Sequence, residues 1–227
     1  MSDRPLRVLL VGYGRMGRLV EELAMADEGI EIVGRVTSGT SLEVQAVEAD
    51  VAIDFSTAAA VPQNVPRLAA AGTAVVIGAT GWQDREAEVR AAVSQFPVGV
   101  LVAPNFAIGV NAFVAVAERA AELLATRGFA PYIHEAHHSA KKDAPSGTAV
   151  LLESVVARAG GQPVDISSTR AGFIPGTHTL GFDSAAETIT LTHTARDRTA
   201  FARGALEAAK WIRGRHGWFT MRDMLGL

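Results

Sequence analysis

Gly12-Tyr13-Gly14-Arg15-Met16-Gly17 is the stretch that decides the fold of this chain. An apolar run at 7–11 before it predicts a buried strand, a helical pattern follows at 18–27, and a second strand is expected at 30–36. A G-x-G-x-x-G sequence inside a strand–helix–strand unit is typical of dinucleotide binding. Its first glycine allows a tight turn, its second lets a pyrophosphate approach the backbone, and its third lets helix and strand pack closely. The alternative is a glycine-rich turn without a ligand.

The end of the second predicted strand bears on the choice of cofactor. An acidic residue that binds the ribose 2′-hydroxyl is usual there, but this chain has Arg35-Val36-Thr37. The hydroxyl of Thr37 does not repel a 2′-phosphate, and Arg35 and Arg15 could lie near it. We therefore predict that NADPH is accepted at least as well as NADH. The alternative is that Arg35 is only a surface residue.

Strands and helices alternate through the first half of the chain. Further strands are predicted at 51–55, 74–77 and 98–102, and helices at 42–46, 61–71 and 84–96. This alternation predicts a Rossmann-type α/β fold with a doubly wound parallel sheet. Ligands of such sheets bind outside the carboxyl ends of the strands. The turns at Gly12, Ser56, Gly78 and Asn105 all follow strands and could form one cofactor rim.

The pattern changes after Asn111. A helix to about residue 126, a strand at 129–133 and a helix at 148–159 are followed by strands at 166–170, 177–182 and 187–195. Residues 187–193 alternate between polar and apolar, as in an antiparallel sheet with one wet face. We expect an α+β substrate and oligomerisation domain at 108–199 with a mixed, largely open sheet. The dinucleotide-binding domain is expected at 1–107, completed by the segment 200–227.

Residues 135–149 combine two histidines, two lysines and a Pro-Ser-Gly-Thr turn. His137 and His138 can each gain or lose a proton near pH 7, and Lys141 adds a positive charge. The start of the next helix favours an anion, through the residues Ser146, Gly147 and Thr148. The segment is therefore suited to hold a negatively charged small molecule and to offer it a proton. The alternative is a solvated loop with a serine or threonine helix cap.

Composition excludes several classes of function. The chain has 227 residues, 48% hydrophobic and 20% charged, a net charge of −3 and no cysteine. The negative net charge does not indicate nucleic-acid binding, and no run approaches the roughly 18 apolar residues of a membrane span. We see no signal peptide and expect a cytoplasmic protein without membrane partners. No metal is expected, because His137 and His138 would point to opposite faces of a strand and no cysteine supplies further ligands.

Four motifs together resemble one family. They are Gly-Ala-Thr-Gly at 78–81, Ala-Pro-Asn-Phe at 103–106, Glu-Ala-His-His-x-x-Lys-x-Asp-Ala-Pro-Ser-Gly-Thr at 135–148, and Arg-Ala-Gly at 170–172. The chain resembles the 4-hydroxy-tetrahydrodipicolinate reductase (dihydrodipicolinate reductase) family nearly from end to end. It departs from the family in a short region between the second and third strands and in Thr37, where Glu or Asp is frequent. These departures concern cofactor preference and not the reaction.

The resemblance implies a reaction of lysine and diaminopimelate biosynthesis. NADPH or NADH delivers a hydride to a cyclic dicarboxylate, water is lost, and tetrahydrodipicolinate forms. The resemblance implies His137 as proton donor, Lys141 as a second acid, and His138, Gly147 and Thr148, at the same turn as Ser146, as substrate contacts. It also suggests a homotetramer assembled through the sheet of the second domain. The expected cofactor contacts are Gly12, Tyr13, Gly14, Arg15, Met16, Gly17, Arg35, Thr37, Phe55, Gly78, Ala79, Thr80, Ala103, Pro104, Asn105 and Phe106.

Two other classes of function compete with this reading. Another two-domain dehydrogenase would share the nucleotide fold, although the absence of cysteine counts against aldehyde oxidation through a thioester. A cofactor-sensing regulator would have lost its general acid, whereas this chain keeps His137 and Lys141. We expect His178 and His193 to be structural residues of the sheet, and Asn105 to lie at a hinge between the domains.

Overall fold

The computed structural model describes residues 4–37 and 48–227, which form two compact units. The first unit contains the residues up to 108 and those from 199 to 227, and the second contains 109–198. The helix predicted at 42–46 lies outside the described residues. In chain order, the elements are β1 (Leu6–Val11), α1 (Arg15–Ala24), β2 (Ile30–Val36), β3 (Val51–Asp54), α2 (Val61–Ala70), β4 (Ala74–Ile77), a 3₁₀ turn (Gln83–Arg85), α3 (Glu86–Val93), β5 (Gly99–Val102), α4 (Ile108–Leu124), β6 (Ala130–His137), α5 (Gly147–Gly160), β7 (Asp165–Arg170), β8 (Gly176–Asp183), β9 (Thr188–Ala195), α6 (Thr199–Ile212), β10 (Gly217–Thr220) and α7 (Met221–Leu225).

The first unit is built on a parallel sheet of six strands in the order β10-β5-β4-β3-β1-β2. The strands of its centre are buried on both faces, which explains why the run Ala74–Ile77 is wholly apolar. Leu10 and Val76 pack with α1 and α6 on one side, whereas Leu9 and Val75 pack with α2 and α3 on the other. The predicted doubly wound sheet is confirmed.

Two helices differ most from the predicted ones. Helix α1 begins at Arg15, inside the glycine motif, because Gly14 already has the extended conformation of an N-cap residue. The predicted helix at 84–96 is instead a 3₁₀ turn followed by α3, which ends at Val93. Pro97 disfavours the helical conformation of the residue before it, so a helix is not expected to continue to residue 96. None of the described helices combines the length and apolarity that a membrane crossing needs.

The second unit contains a four-stranded mixed sheet in the order β7-β6-β8-β9. Strand β6 pairs in parallel with β7 and antiparallel with β8, and β8 pairs antiparallel with β9. Helices α4 and α5 cover one face through a core that includes Phe113, Ile133, Leu152 and Leu180. The other face carries Thr179 and other polar residues and is open, so the predicted mixed, open sheet is confirmed.

Strand β6 is longer than the prediction of 129–133. It continues through Glu135 to His137, because Arg170 of β7 is the register partner of His137 and His178 of β8 is the partner of Glu135. Neighbours on both sides thus supply the hydrogen bonds that keep residues 134–137 extended. The first part of the 135–149 segment is therefore strand and not loop.

Candidate active site

The glycine motif leaves space at the start of α1. Gly12 has a φ of +85°, and a Cβ there would lie 2.6 Å from the backbone nitrogen of Ser56. A Cβ on Gly17 would clash with the carbonyl oxygen of Gly12, so the absence of a side chain at Gly17 lets α1 pack close to the glycine loop. At Gly14, no atom of the described residues beyond its two chain neighbours lies within 4 Å of the Cβ position, and glycine has no side chain to cap the helix. This open position beside the free N–H groups of a helix start fits a pyrophosphate.

The carboxyl ends of β1, β3, β4 and β5 lie at one edge of the sheet, because these strands are parallel neighbours. Phe55 follows β3, and its ring fills the place that a side chain on Gly78 would occupy. The rings of Phe55 and Phe106 meet edge to face, with centroids 6.0 Å apart. The structure thus brings the predicted rim residues together at this edge, with Thr80 exposed and Ala79 buried beside Gly78.

A buried carboxylate orders this rim and was missed from the sequence. Asp54 accepts hydrogen bonds from the backbone of Ser56 at 2.8 Å and from the amide of Asn64 at 3.3 Å. Burial raises the pKa of Asp54, and the hydrogen bonds of Ser56 and Asn64 oppose that rise. At the end of β5, Asn105 accepts from the backbone of Ala107 at 2.9 Å. Both side chains therefore hold turns in shape.

Arg35 is held by a cluster of side chains next to the glycine loop. Its guanidinium forms an ion pair with the carboxylate of Glu21, which also accepts a hydrogen bond from the hydroxyl of Tyr13. The guanidinium carbons of Arg35 and Arg18 lie 5.6 and 5.7 Å from the centre of the Tyr13 ring. Thr37 is exposed just after β2. Glu21 and Arg18 were missed, because only the fold brings α1, β2 and the loop together.

The second unit contains a buried network around Glu135. The carboxylate, with no exposed surface, accepts from Arg170 at 2.7 and 2.9 Å and lies 2.5 Å from Nδ1 of His137. It also accepts from the backbone of Ser146 at 3.3 Å. Burial would raise the pKa of Glu135, but hydrogen bonds from Arg170, Ser168 and His137 outweigh it and hold the pKa at about 2. Glu135 is therefore ionised throughout the neutral range.

The two ring nitrogens of His137 differ in their surroundings: Nδ1 is hydrogen-bonded to Glu135, and Nε2 faces Gly176. Because the ionised Glu135 can only accept, Nδ1 of His137 carries a hydrogen. Burial lowers the pKa of His137, the positive charges of Lys141 and Arg170 add to that effect, and Glu135 opposes it. A Cβ at Gly176 would lie 3.0 Å from Nε2 of His137, so a glycine there leaves this nitrogen room. The side chain can therefore move a proton at Nε2.

Ser146 and His178 form a second buried contact next to His137. The Ser146 hydroxyl caps α5 by accepting from the backbone of Ala149 at 3.2 Å, and it lies 2.8 Å from Nε2 of His178. Burial, then the charge of His137, lowers the pKa of His178 to about 4. His178 is therefore neutral near pH 7. Its hydrogen bond suits the structural role that we predicted, and His193 contacts the ring of Phe113.

Lys141 is ion-paired within the connection between β6 and α5. Its Nζ lies 2.8 Å from each carboxylate oxygen of Asp143, and Arg170 donates to the carbonyl oxygen of Asp143 at 2.6 Å. Hydrogen bonding from Lys141 lowers the pKa of Asp143, to which the N–H of Gly147 also contributes. His138 is exposed just after the strand. The structure thus places His137, Lys141 and the start of α5 on one connection.

Three residues of this site lie in the family motifs but were assigned no role from the sequence: Glu135, Asp143 and Arg170. Glu135 could have been found, because residues two apart on a strand share a face. Arg170 depends on the pairing of β6 with β7, which the sequence does not reveal. Glu135, His137 and His178 place possible metal-ligand atoms within 4.8 Å of one another. Arg170 already bonds both oxygens of Glu135, and Ser146 already contacts Nε2 of His178, which favours proton chemistry at this cluster.

Comparison with known proteins identifies the family. Residues 6–106 match the model for the dihydrodipicolinate reductase N-terminus, and residues 109–225 match that for its C-terminus. The 4-hydroxy-tetrahydrodipicolinate reductase of Acidiphilium cryptum is 41% identical, with all of both chains covered. That of Thiobacillus denitrificans is 37% identical over 98% of this chain and 99% of its own.

A solved structure shows the same fold. A dihydrodipicolinate reductase from Paenisporosarcina sp. TG-14, with dipicolinate bound, superposes with a TM-score of 0.82 at 22% identity, covering 97% of this chain and 99% of its own. The resemblance stated from four motifs is thereby confirmed. This chain belongs to the dihydrodipicolinate reductase family.

Proposed function

We propose that this protein is a 4-hydroxy-tetrahydrodipicolinate reductase of lysine and diaminopimelate biosynthesis. It reduces a cyclic dicarboxylate with NADPH or NADH, and water is lost to give tetrahydrodipicolinate. Full-length identity to curated reductases of that name supports this activity. The structural observation that carries the proposal is that Lys141 lies in the short connection between His137, at the end of β6, and the N-terminus of α5, and that its charge reaches His137.

The substrate is proposed to bind through its negative charges. Lys141 supplies a cationic group, His138 a ring N–H, and the start of α5 at Gly147 and Thr148 backbone N–H donors, all of which suit carboxylates. The related reductase that binds dipicolinate shows that a ring dicarboxylate is accepted by a protein of this fold. The buried hydroxyl of Ser146 supports a capping role, so Ser146 as a direct substrate contact stays a prediction.

The nicotinamide cofactor is proposed to bind along the first unit. A bound NADPH or NADH would supply the hydride. Gly12, Gly14 and Gly17 provide the close approach for its pyrophosphate, and Arg35 offers charge to a 2′-phosphate. The remaining cofactor contacts, at Phe55, 78–80 and 103–106, are proposed along the carboxyl edge of the parallel sheet.

Proton transfer is assigned to His137. Reduction leaves electron density on the substrate ring that requires a proton, and a positioned acid supplies it. Protonated His137 donates from Nε2 while its Nδ1–H stays bonded to Glu135. Lys141 stabilises the charge on the substrate and acts as a second acid. The ionised Glu135 balances the positive imidazole before the proton leaves.

The activity can be tested directly. Substrate is generated from pyruvate and aspartate semialdehyde by a dihydrodipicolinate synthase, and the absorbance of NADPH is followed. Decay that requires both the synthase and this protein supports the reductase. Cofactor binding without decay would instead support the cofactor-sensing regulator.

We also propose an oligomeric state and a cellular location for the protein. A homotetramer joined through the open sheet face agrees with its uncharged rows of threonines, in which Thr179 contacts Thr192 at 3.0 Å and Thr177 contacts Thr194 at 3.2 Å. Light scattering tests this state, and a monomer would contradict it. A cytoplasmic location agrees with the absence of cysteine in the sequence.

A further inference from the structure

We infer that Glu135 is the positioning residue of His137 and that Arg170 holds Glu135 in place, so that His137 presents Nε2 as its reactive nitrogen. The catalytic consequence rests on the proposed function, in which His137 is the proton donor. The link between Glu135 and the His137 ring is a property of the folded chain alone and can be measured without substrate.

Strand geometry places the two side chains together. Glu135 and His137 are two residues apart on β6, so both point to the face covered by the helices, and both are buried. Their atoms Oε2 and Nδ1 lie 2.5 Å apart. A charge-assisted hydrogen bond of this length fixes both the rotation of the ring and the nitrogen that carries the hydrogen.

Arg170 makes the buried carboxylate rigid and keeps it charged. It contacts both oxygens of Glu135 in the two-pronged arrangement that only a guanidinium provides. Arg170 is itself tied to the carbonyl oxygens of Thr169 at 2.8 Å and Asp143 at 2.6 Å. Together with the hydrogen bonds of Ser168 and His137, Arg170 opposes the rise in the pKa of Glu135 that burial causes, so the carboxylate only accepts from Nδ1.

Replacing Glu135 and replacing Arg170 should move the pKa of His137 in opposite directions, because the two side chains carry opposite charges. The groups facing it are Glu135 on its own strand, Arg170 on β7, His178 on β8 and Lys141 in the connection. Glu135→Gln removes the attraction for imidazolium and leaves Arg170 unneutralised, so the pKa of His137 must fall. Arg170→Gln leaves the negative charge of Glu135 beside the ring, so the pKa must rise.

The experiment is ¹⁵N–¹H NMR of the histidine rings in the full-length protein, with His137 assigned through His137→Gln. In the wild type we expect the hydrogen of neutral His137 on Nδ1. Glu135→Gln should lower the pKa of His137 by about one unit or more and mix its two tautomers. Arg170→Gln should raise the pKa. The matched control is Glu118→Gln, which removes a carboxylate 3.6 Å from Arg158 in the same unit and should change neither property of His137.

Several results would overturn the inference. Wild-type His137 with its hydrogen on Nε2 would do so even if neither variant folded, and so would an unchanged pKa and tautomer in folded Glu135→Gln. The pH profile of kcat in Glu135→Gln should shift in the same direction as the pKa of His137. Full turnover in His137→Gln would remove the proposed proton donor but leave the NMR result standing, so the two failures are distinguishable.

Discussion

The ammonium of Lys141 lies 2.8 Å from both carboxylate oxygens of Asp143, two residues further along the chain. The pair stands just before α5, whose start is the proposed carboxylate site. Asp143 therefore holds Lys141 beside that helix start. A flexible lysine without this partner would lose more conformational freedom on binding substrate.

Lys141→Ala should lower the maximal rate about 10-fold or more, because it removes an acid and a charge that stabilises the substrate. Steady-state NADPH oxidation measures this effect. The neighbouring Lys142 is exposed and we expect it to be solvated, so Lys142→Ala is the matched control and should keep normal turnover. Equal losses in the two variants would point to a general charge effect.

His137→Gln should likewise reduce the maximal rate about 10-fold or more. An acid must be protonated to act, so in the wild type kcat/KM should fall as the pH rises through the pKa of His137, which burial places below 6.5. The corresponding fall in kcat should lie at higher pH, because a bound dianion favours imidazolium. Rates of His137→Gln should lack this fall, and near-normal turnover in both His137→Gln and Lys141→Ala would remove the mechanism.

His178 should make folding stability depend on pH. Burial lowers its pKa from 6.5 to about 4, so between these values the unfolded chain binds a proton that the folded chain does not. The contribution is therefore complete above pH 6.5 and is lost as the pH falls towards 4. Its slope is about 1.4 kcal/mol per pH unit.

Urea unfolding of the wild type and His178→Gln at several pH values measures that slope. Glutamine can still bond Ser146 but does not titrate, so the slope should be smaller in the variant by this amount. Groups that do not interact with His178 contribute equally to both proteins and cancel in the difference, whereas the change at its neighbour His137 is followed separately by NMR. Identical slopes would show that His178 titrates in the folded protein as it does in the unfolded chain.

Arg35 should favour NADPH. Its guanidinium is held near the end of β2 by Glu21 and Tyr13, so Arg35→Ala should raise the KM for NADPH about 10-fold, the loss expected for one charge-assisted contact. The KM for NADH should stay the same and serves as the internal control. A tenfold or greater preference of the wild type for NADH would contradict the prediction.

A charge on the open sheet face should disrupt the tetramer. Thr179 lies in the middle of that face opposite Thr192, and Thr179→Arg would bury an unpaired charge in the proposed interface. Light scattering should then report smaller species. Thr126→Arg adds the same charge to an exposed position after α4 and should leave the assembly unchanged.

Local patterns in the sequence were enough for most strands of the first unit, although not for β10, and for the candidate acids of the second unit. The glycine spacing at 12–17 and the wholly apolar run Ala74–Ile77 predict a tight turn and a buried strand through their own conformational and burial preferences. The predicted bounds of β2 and β4 agree with the structure. His137 and Lys141 stood out because their residue types and spacing carry the chemistry directly.

The tertiary structure alone decided which groups control those residues. Arg170 reaches Glu135 only through the register of β7 on β6, and Glu21 reaches Arg35 only because α1 packs beside β2. In each case the partners are far apart in sequence, and their contact depends on strand pairing and helix packing that no local preference specifies. For the same reason the apolar run alone marked this strand only to Ile133, although the two histidines were expected at a strand end, and the pairing extends β6 to His137.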